Sequence, residues 1–145
     1  MISLQKRQSG FTIVELLIVI VIIGILATLV IVTFTGTQKK ARDSQRQTDI
    51  NAVNSHLATY YAEEGHYPLY SELSSSTWIA SNMKGLDAEA LKDPKGGTIQ
   101  AGASDSTHYG YEVTCSTADD AATCDSYTLT ASLEDGTTFT KKSNN

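Results

Sequence analysis

Glu15 is the single ionisable residue in an apolar stretch that covers residues 11–34. An ionised carboxylate costs about 2.5 to 3.5 kcal/mol at the centre of a bilayer and less toward the interface, so its presence indicates a function. Residues 9–37 contain no Lys, Arg or His that could neutralise it. The chemistry predicted for Glu15 is therefore charge pairing with another molecule, a lipid headgroup or a newly formed chain terminus.

The apolar stretch around Glu15 has the length of a membrane span. It is rich in Ile, Leu and Val on every side, and roughly 20 such residues cross the hydrocarbon core as a helix that satisfies its own backbone. The β-branched residues favour a strand by propensity, but an apolar strand of this length would aggregate, so a helix is favoured. Residues 11–35 are therefore predicted to form a membrane-spanning helix.

A short basic segment with Lys6 and Arg7 ends at Gly10, directly before the apolar stretch. An ordinary secretory signal and a single-pass anchor also begin in this way. Here, however, the apolar run exceeds the usual signal core of about 7 to 15 residues, and the small residue precedes that core. The basic pair, Gly10, the aromatic Phe11 and Glu15 together resemble the leader of the type IV pilin family, which includes the pseudopilins of type II secretion.

This resemblance implies cleavage and methylation by a prepilin peptidase. The scissile bond would join Gly10 and Phe11, Phe11 would carry the methylated amine, and Glu15 would attract the amine of a neighbouring copy. At about 1.5 Å per residue, Glu15 lies roughly 6 Å along the helix from Phe11, so a neighbour shifted by that distance aligns the two charges. The implied partners are further copies in a helical filament, the peptidase, and an assembly platform with its ATPase.

One position departs from the pilin pattern. Many pilins carry a proline late in the apolar run, whereas this chain has Val32 there and no proline before Pro68. Gly24 remains as a weak point, since glycine destabilises a helix by about 1 kcal/mol relative to alanine. A less kinked N-terminal helix is therefore expected.

The helix is predicted to continue beyond the membrane to residue 64. An apolar stripe recurs at helical spacing in this polar segment; it consists of Ile50, Val53, Leu57, Tyr60 and Tyr61. Gly65 is a suitable C-terminal cap, and Pro68 follows closely. The predicted organisation is a leader at 1–10, a membrane and assembly half at 11–35, an amphipathic half at 36–64, and a globular head at 65–145.

The head is predicted to be a small antiparallel sheet packed on the amphipathic half of the helix, which makes the fold class α+β. Residues 65–107 are expected to be an irregular connector in which Ser74, Ser75, Ser76 and Thr77 mark a loop and Trp78 and Ile79 pack inward. One short helix is expected at 87–92, capped by Asp87.

Alternating residues after the connector predict strands. The residues on one face are Tyr109, Tyr111 and Val113, and later Tyr127, Leu129, Ala131 and Leu133. A three-residue turn with Gly136 in the left-handed conformation would pair Ala131 with Phe139.

Cys115 and Cys124 are the only cysteines, and neither forms a CxxC motif or a metal-ligand pattern. An even count in a chain with an export signal predicts a disulfide, which places the head outside the cytoplasm. The pair is also similar to the disulfide of many pilins, although about twenty residues follow Cys124 here.

The acidic composition of the chain argues against nucleic-acid binding. The formal charge is −5, and loss of residues 1–10 would remove Lys6 and Arg7 and give −7. Such a chain repels nucleic acid unless a local patch exists; the one basic group, Lys39, Lys40, Arg42 and Arg46, is interpreted as a solvated collar.

No catalytic chemistry and no cofactor are predicted. His56, His66 and His108 lack a Ser or Cys partner at recognisable spacing, and no phosphate-binding glycine loop is present. Oxygen ligands at Asp119, Asp120 and Asp125 are a weak calcium alternative to a solvated acidic loop.

The sequence thus favours a structural subunit of a type IV pilus-like extracellular filament, held as a single-pass protein in the cytoplasmic membrane before assembly. The alternative within the family is a major pseudopilin of a type II secretion or DNA-uptake machine. A rival of another class is a monomeric membrane-anchored enzyme or binding module. That rival predicts an uncleaved N-terminus.

Overall fold

A computed structural model of the chain describes residues 10–143. The predicted leader at 1–10, with Lys6 and Arg7, lies outside the described residues except for Gly10. The chain divides into two compact units, Met1–Gln38 and Lys39–Asn145. Helix α1, Ile13–Glu64, contributes its first half to one unit and its second half to the other.

The first unit is the apolar half of α1. The helix begins at Ile13, two residues later than predicted. It contains a window of mean hydropathy 3.3 with none of its residues buried, and it is long and apolar enough to cross a membrane. The hydroxyls of Thr28, Thr33, Thr35 and Thr37 donate to carbonyls three or four residues earlier, so these polar groups are satisfied within the helix.

The second half of α1 carries the core stripe of the second unit. Ile50, Val53, Leu57 and Tyr60 are buried, as the helical spacing predicted. The helix ends at Glu64. Gly65 follows with φ +79°, and its N–H donates to the Tyr61 carbonyl over 2.8 Å. This left-handed cap confirms the predicted role of Gly65.

The connector contains more helix than predicted. Helix α2 covers Tyr70–Leu73 and helix α3 covers Ser76–Asn82. The loop predicted at Ser74 to Thr77 is therefore wrong for its second half, because Ser75 acts as the N-cap of α3 and its side chain accepts from the Trp78 N–H. The 3-10 helix Ala88–Leu91 is capped by Asp87 as expected.

The sheet has four strands in the order β1-β2-β3-β4. The strands are β1 Gln100–Ala101, β2 Gly110–Cys115, β3 Cys124–Ser132 and β4 Thr138–Lys142. The last three strands pair antiparallel as predicted, but β1 pairs parallel with β2, so the sheet is mixed. The close return from β1 to β2 requires glycine at 110, where a Cβ would overlap the backbone of Ser104 and Gly102.

The β3–β4 hairpin has the predicted register. Ala131 pairs with Phe139, Gly136 has φ +86°, and the Leu133 N–H donates to the Thr137 carbonyl. This register places Phe139 with the apolar set that packs against the core.

Tyrosine hydroxyls of the sheet, and that of Tyr109 directly before β2, anchor the sheet to neighbouring segments. Tyr109 donates to Asp49 over 2.8 Å, Tyr127 to Asn54 over 2.8 Å, and Tyr111 to the Pro68 carbonyl over 2.8 Å. Burial raises the pKa of Asp49 despite the bond from Tyr109. The rings pack in the apolar core while their hydroxyls satisfy helix and loop acceptors, which fixes the sheet across α1.

Candidate functional site at the N-terminus

Gly10 and Phe11 precede the helix and are exposed. Phe11 is 88% exposed. Apart from the chain neighbours of Gly10, no heavy atom of the described residues lies within 4 Å of the position that a Cβ there would take. Both residues lie before the first helical residue, Ile13. The peptide bond between them therefore lies in accessible backbone outside the helix.

Glu15 is paired locally with Thr12. The Thr12 backbone N–H donates to Glu15 Oε2 over 2.9 Å, and the Thr12 hydroxyl donates to the same oxygen over 2.8 Å. In return, the Glu15 N–H donates to Thr12 Oγ1 over 3.2 Å. This reciprocal arrangement is a capping box, in which Thr12 is the N-cap and Glu15 is the third helical residue, N3.

Sequence reasoning missed this capping box, although the Thr-x-x-Glu spacing was a sufficient signal. The prediction for Glu15 considers only charged partners. The N–H groups of the first helical turn also lack partners within the helix, and a carboxylate can accept hydrogen bonds from them. The carboxylate thus has polar partners within its own segment, but none of them is a cation.

The second carboxylate oxygen is available for a further partner. Glu15 Oε1 accepts no hydrogen bond from any residue that the structure describes, whereas Oε2 accepts two. An ionised carboxylate offers about four acceptor positions. Thr12 can therefore orient Glu15 while an amine from another molecule binds to Oε1.

A separate cluster of ion pairs lies within the second unit, between the polar half of α1 and the head. Arg46 is fully buried and makes a bidentate contact with Asp93 at 2.7 and 3.1 Å. It also donates to Asp43 at 2.9 Å and lies 3.4 Å from Glu134. The predicted solvated collar is therefore wrong for Arg46 and for Arg42, which is half-buried and pairs with Glu134. It holds for Lys39 and Lys40, which are exposed.

Glu134 joins three cations from different segments. Its Oε1 lies 2.7 Å from Arg42, 3.4 Å from Arg46 and 3.0 Å from Lys95. The hydrogen bond from Arg42, followed by that from Lys95, lowers the pKa of Glu134 to about 2. Its backbone N–H also donates to Asp43 over 3.0 Å, so the β3–β4 turn is fastened to α1 by both backbone and side chain.

The cysteine pair forms the predicted disulfide. Cys115 and Cys124 lie opposite each other at the junction of β2 and β3, nine residues apart in sequence. Within the described residues, no group of three or more His, Cys, Asp or Glu could hold a metal ion. Asp120 instead caps the short helix Ala121–Thr123, so the calcium alternative at Asp119, Asp120 and Asp125 gains no support.

The histidines make structural contacts. His108 Nδ1 lies 2.9 Å from Asp105, whose pKa is lowered to about 2, chiefly by the Thr107 backbone N–H and then by His108. His66 packs edge-on against Tyr60. His56 lies at the edge of the recess beside the end of α1.

A long N-terminal helix with an exposed apolar half, and a small sheet on its polar half, define a pilin-like α+β protein. The family described as "Prokaryotic N-terminal methylation motif" matches residues 5–31, which include the Gly10–Phe11 bond and Glu15. The chain is homologous to type II secretion system core protein G and to a type IV major pilin.

Three curated relatives show the extent of this similarity. Type II secretion system core protein G of Escherichia coli (strain K12) is 36% identical over 87 residues, 60% of each chain. The Dickeya chrysanthemi protein of the same name is 40% identical over 65 residues, 45% of this chain and 42% of the relative. Type IV major pilin protein PilA of Myxococcus xanthus (strain DK1622) is 36% identical over 63 residues, 43% of this chain and 29% of the relative. The match thus covers between 42% and 60% of the length of these two type II secretion relatives. No solved structure matches the chain.

Proposed function

We propose that this chain is a major pseudopilin, the filament subunit of a type II secretion-type machine. The extracellular pilus favoured by the sequence alone becomes the second candidate, because seven of the similar proteins are named type II secretion system core protein G. The pilus candidate retains the support of the Myxococcus pilin. Both candidates use the same N-terminal chemistry.

The exposed apolar half of α1 is the observation that carries the filament-subunit role, which both candidates share. From Ile13 to Phe34 its large apolar side chains are between 47% and 79% exposed, far more than a monomeric soluble protein leaves open to water. A bilayer covers such a helix before assembly, and other copies of the same helix cover it in a filament. The mature chain would therefore move from the cytoplasmic membrane into a filament without exposing this surface to water.

Glu15 sets the register of this packing in the proposal. After cleavage between Gly10 and Phe11 by a prepilin peptidase, the methylated Phe11 amine stays cationic, and the free Oε1 of Glu15 in a neighbouring copy accepts it. In a low-dielectric helix bundle each unpaired charge is costly, so the two charges favour one axial offset over others. An assembly platform and its ATPase would supply the work, since we propose that the chain itself is not an enzyme and binds no cofactor.

Substitutions at Glu15 and Thr12 separate charge pairing from helix capping. Glu15→Ala removes both functions, whereas Glu15→Gln removes the charge and keeps a capping-box side chain. Thr12→Ala removes the capping hydroxyl and keeps the carboxylate. We expect filaments to be abolished or severely reduced in both Glu15 variants and retained in Thr12→Ala. Electron microscopy and sedimentation of filaments from cells that express each variant provide the measurement.

Intact-mass measurement of each mature protein is the control. All variants should begin at Phe11 and carry the methyl group, which shows that export and cleavage are intact. Normal filament yield from Glu15→Gln would overturn the pairing, since the side chain would then serve only as a cap. Wild-type protein that still begins at Met1 would overturn the whole proposal.

Location distinguishes the two filament types. A pseudopilin is expected to build short rods within the cell envelope and to be required for protein secretion. Long filaments shed from the cell surface, with secretion unchanged in a deletion strain, would favour the pilus.

A further inference from the structure

Two bands of unpaired charge lie on the polar half of α1, both within the second unit. Lys39 and Lys40 are exposed near its start, and Glu63 and Glu64 are exposed at its end. Within the described part of the chain, none of the four forms an ion pair, although Arg42 and Arg46 between the bands are paired. The polar half of α1 therefore has opposite charges at its two ends, and neither end has an ion-pair partner among the described residues.

The acidic band is locally unfavourable. The C-terminal end of a helix carries partial negative charge, so carboxylates there are repelled and cations are favoured. The last turn of α1 nevertheless contains Glu63 and Glu64 and no basic residue. The two carboxylates line a polar recess of about 310 Å³ that also includes Thr59, Ser81 and Lys84. With one lysine against two glutamates, the recess has a net charge of −1 and can take a further cation.

The geometry of the bands fits another copy of the chain. Lys40 and Glu63 are 23 residues apart, which corresponds to about 35 Å along the helix and about 140° around it. Surfaces on nearly opposite sides of a helix face each other when parallel copies are displaced along their axis. Such a contact is heterologous, and its repetition generates an open filament.

We propose that the Lys40 band of one copy docks on the acidic recess at Glu63 and Glu64 of a second copy, displaced by about 35 Å along the helix axis. This contact rests on the proposed filament function and adds to it a second electrostatic register, outside the apolar bundle. Both bands lie on the same helix at a fixed spacing, so each copy offers one basic band and one acidic band. Every interior subunit would use both.

A charge-swap series tests the contact. Lys40→Glu and Glu63→Lys each place like charges across it, while Lys40→Glu/Glu63→Lys restores attraction with the sign reversed. An exposed ion pair changes an association constant up to about fivefold, and the contact recurs at every subunit. We expect each single variant to lower filament yield at least about fivefold and the double variant to recover most of it. Lys142→Glu is the matched control, because Lys142 is exposed on β4 and has no ion pair among the described residues.

Cross-linking gives a second readout that does not depend on yield. The native cysteines are both in the disulfide, so a Lys40→Cys/Glu63→Cys variant should form ladders of linked subunits with a short bismaleimide, and Lys142→Cys/Glu63→Cys should not. Filaments that persist in Lys40→Glu, or a double variant no better than the single ones, would overturn the contact and leave the filament proposal standing. A Lys40→Glu defect without rescue would indicate that Lys40 binds lipid phosphate instead. Failure of the wild type to form filaments would overturn the proposed function itself.

Discussion

Replacing Arg46 by methionine should destabilise the head more than any other single loss of charge on α1. Arg46 is 0% exposed and contacts the carboxylates of Asp93, Asp43 and Glu134. Its hydrogen bond to Asp93 raises the pKa of the guanidinium above its ordinary value, so the charge persists at every accessible pH. Methionine fills similar space but leaves Asp93, which is 3% exposed, as a buried carboxylate without its cation.

The size of the effect follows from that uncompensated charge. Removing one partner of a buried ion pair costs about 3 to 5 kcal/mol. For a domain of about 100 residues, 1 kcal/mol shifts Tm by about 4 to 8 °C, so a loss of at least about 12 °C is expected. Asp93→Asn retains an acceptor for the Lys95 N–H, which donates to Asp93 Oδ1 over 2.8 Å. The double variant Arg46→Met/Asp93→Asn should therefore lose less than the sum of the single losses.

The measurement is urea unfolding of the full chain in detergent micelles. Trp78 is the only tryptophan and packs 5.2 Å from the Tyr60 ring, so its fluorescence reports the head. Arg42→Met is the control, because Arg42 is partly exposed in its contact with Glu134 and should cause a much smaller loss. A loss below about 1 kcal/mol for Arg46→Met, or strict additivity in the double variant, would refute the assignment of Arg46 as a buried structural cation.

Two further predictions concern the disulfide and the β3–β4 turn. Replacing Cys115 and Cys124 together by serine should lower the free energy of unfolding by about 2 to 3 kcal/mol, as loop-closure entropy predicts for a short loop; an unchanged urea midpoint relative to oxidised wild type would contradict this. The lowered pKa of Glu134, about 2 against an ordinary 4.5, means that its contribution to stability is present above pH 4.5 and is lost as pH falls toward 2. The difference in stability between wild type and Glu134→Gln should therefore shrink over that range and stay constant from pH 5 to 7, and a difference that grows on acidification would have the wrong sign.

The parts of the head that follow hydrophobic periodicity could be predicted from the sequence. The stripe at Ile50, Val53 and Leu57 was confirmed because one helical face must be buried whatever covers it. The β3–β4 register was confirmed because only one turn type places Phe139 with the apolar set. In both cases a local pattern had one solution with its apolar residues inside.

The parts of the head that depend on long-range polar contacts could not be predicted from the sequence. Arg46 lies in a basic run that would be solvated on an isolated helix, and its burial depends on Asp93, 47 residues away in the sequence. Strand β1 has only two residues, Gln100 and Ala101, so it carries no alternation from which a parallel pairing could be predicted.

At the N-terminus, the difference between prediction and structure concerns a local hydrogen bond. The sequence identified Glu15 as the residue whose charge needs a partner, and the structure adds Thr12 as the residue that orients it. Propensity and hydropathy consider side chains one at a time, whereas a capping box depends on two side chains and two backbone N–H groups together. The cleavage and methylation at Gly10 and Phe11 stay predictions.

The disulfide has a consequence for the loop that it closes. Cys115 ends β2 and Cys124 begins β3, so the covalent link holds the two strand ends together irrespective of what lies between them. Residues 116–120 are exposed at every position, and Asp119 adopts φ +63° at the tip. A change in this segment should therefore leave the pairing of β2 with β3 unchanged. An epitope tag or fluorophore inserted there would be exposed on the surface of the head.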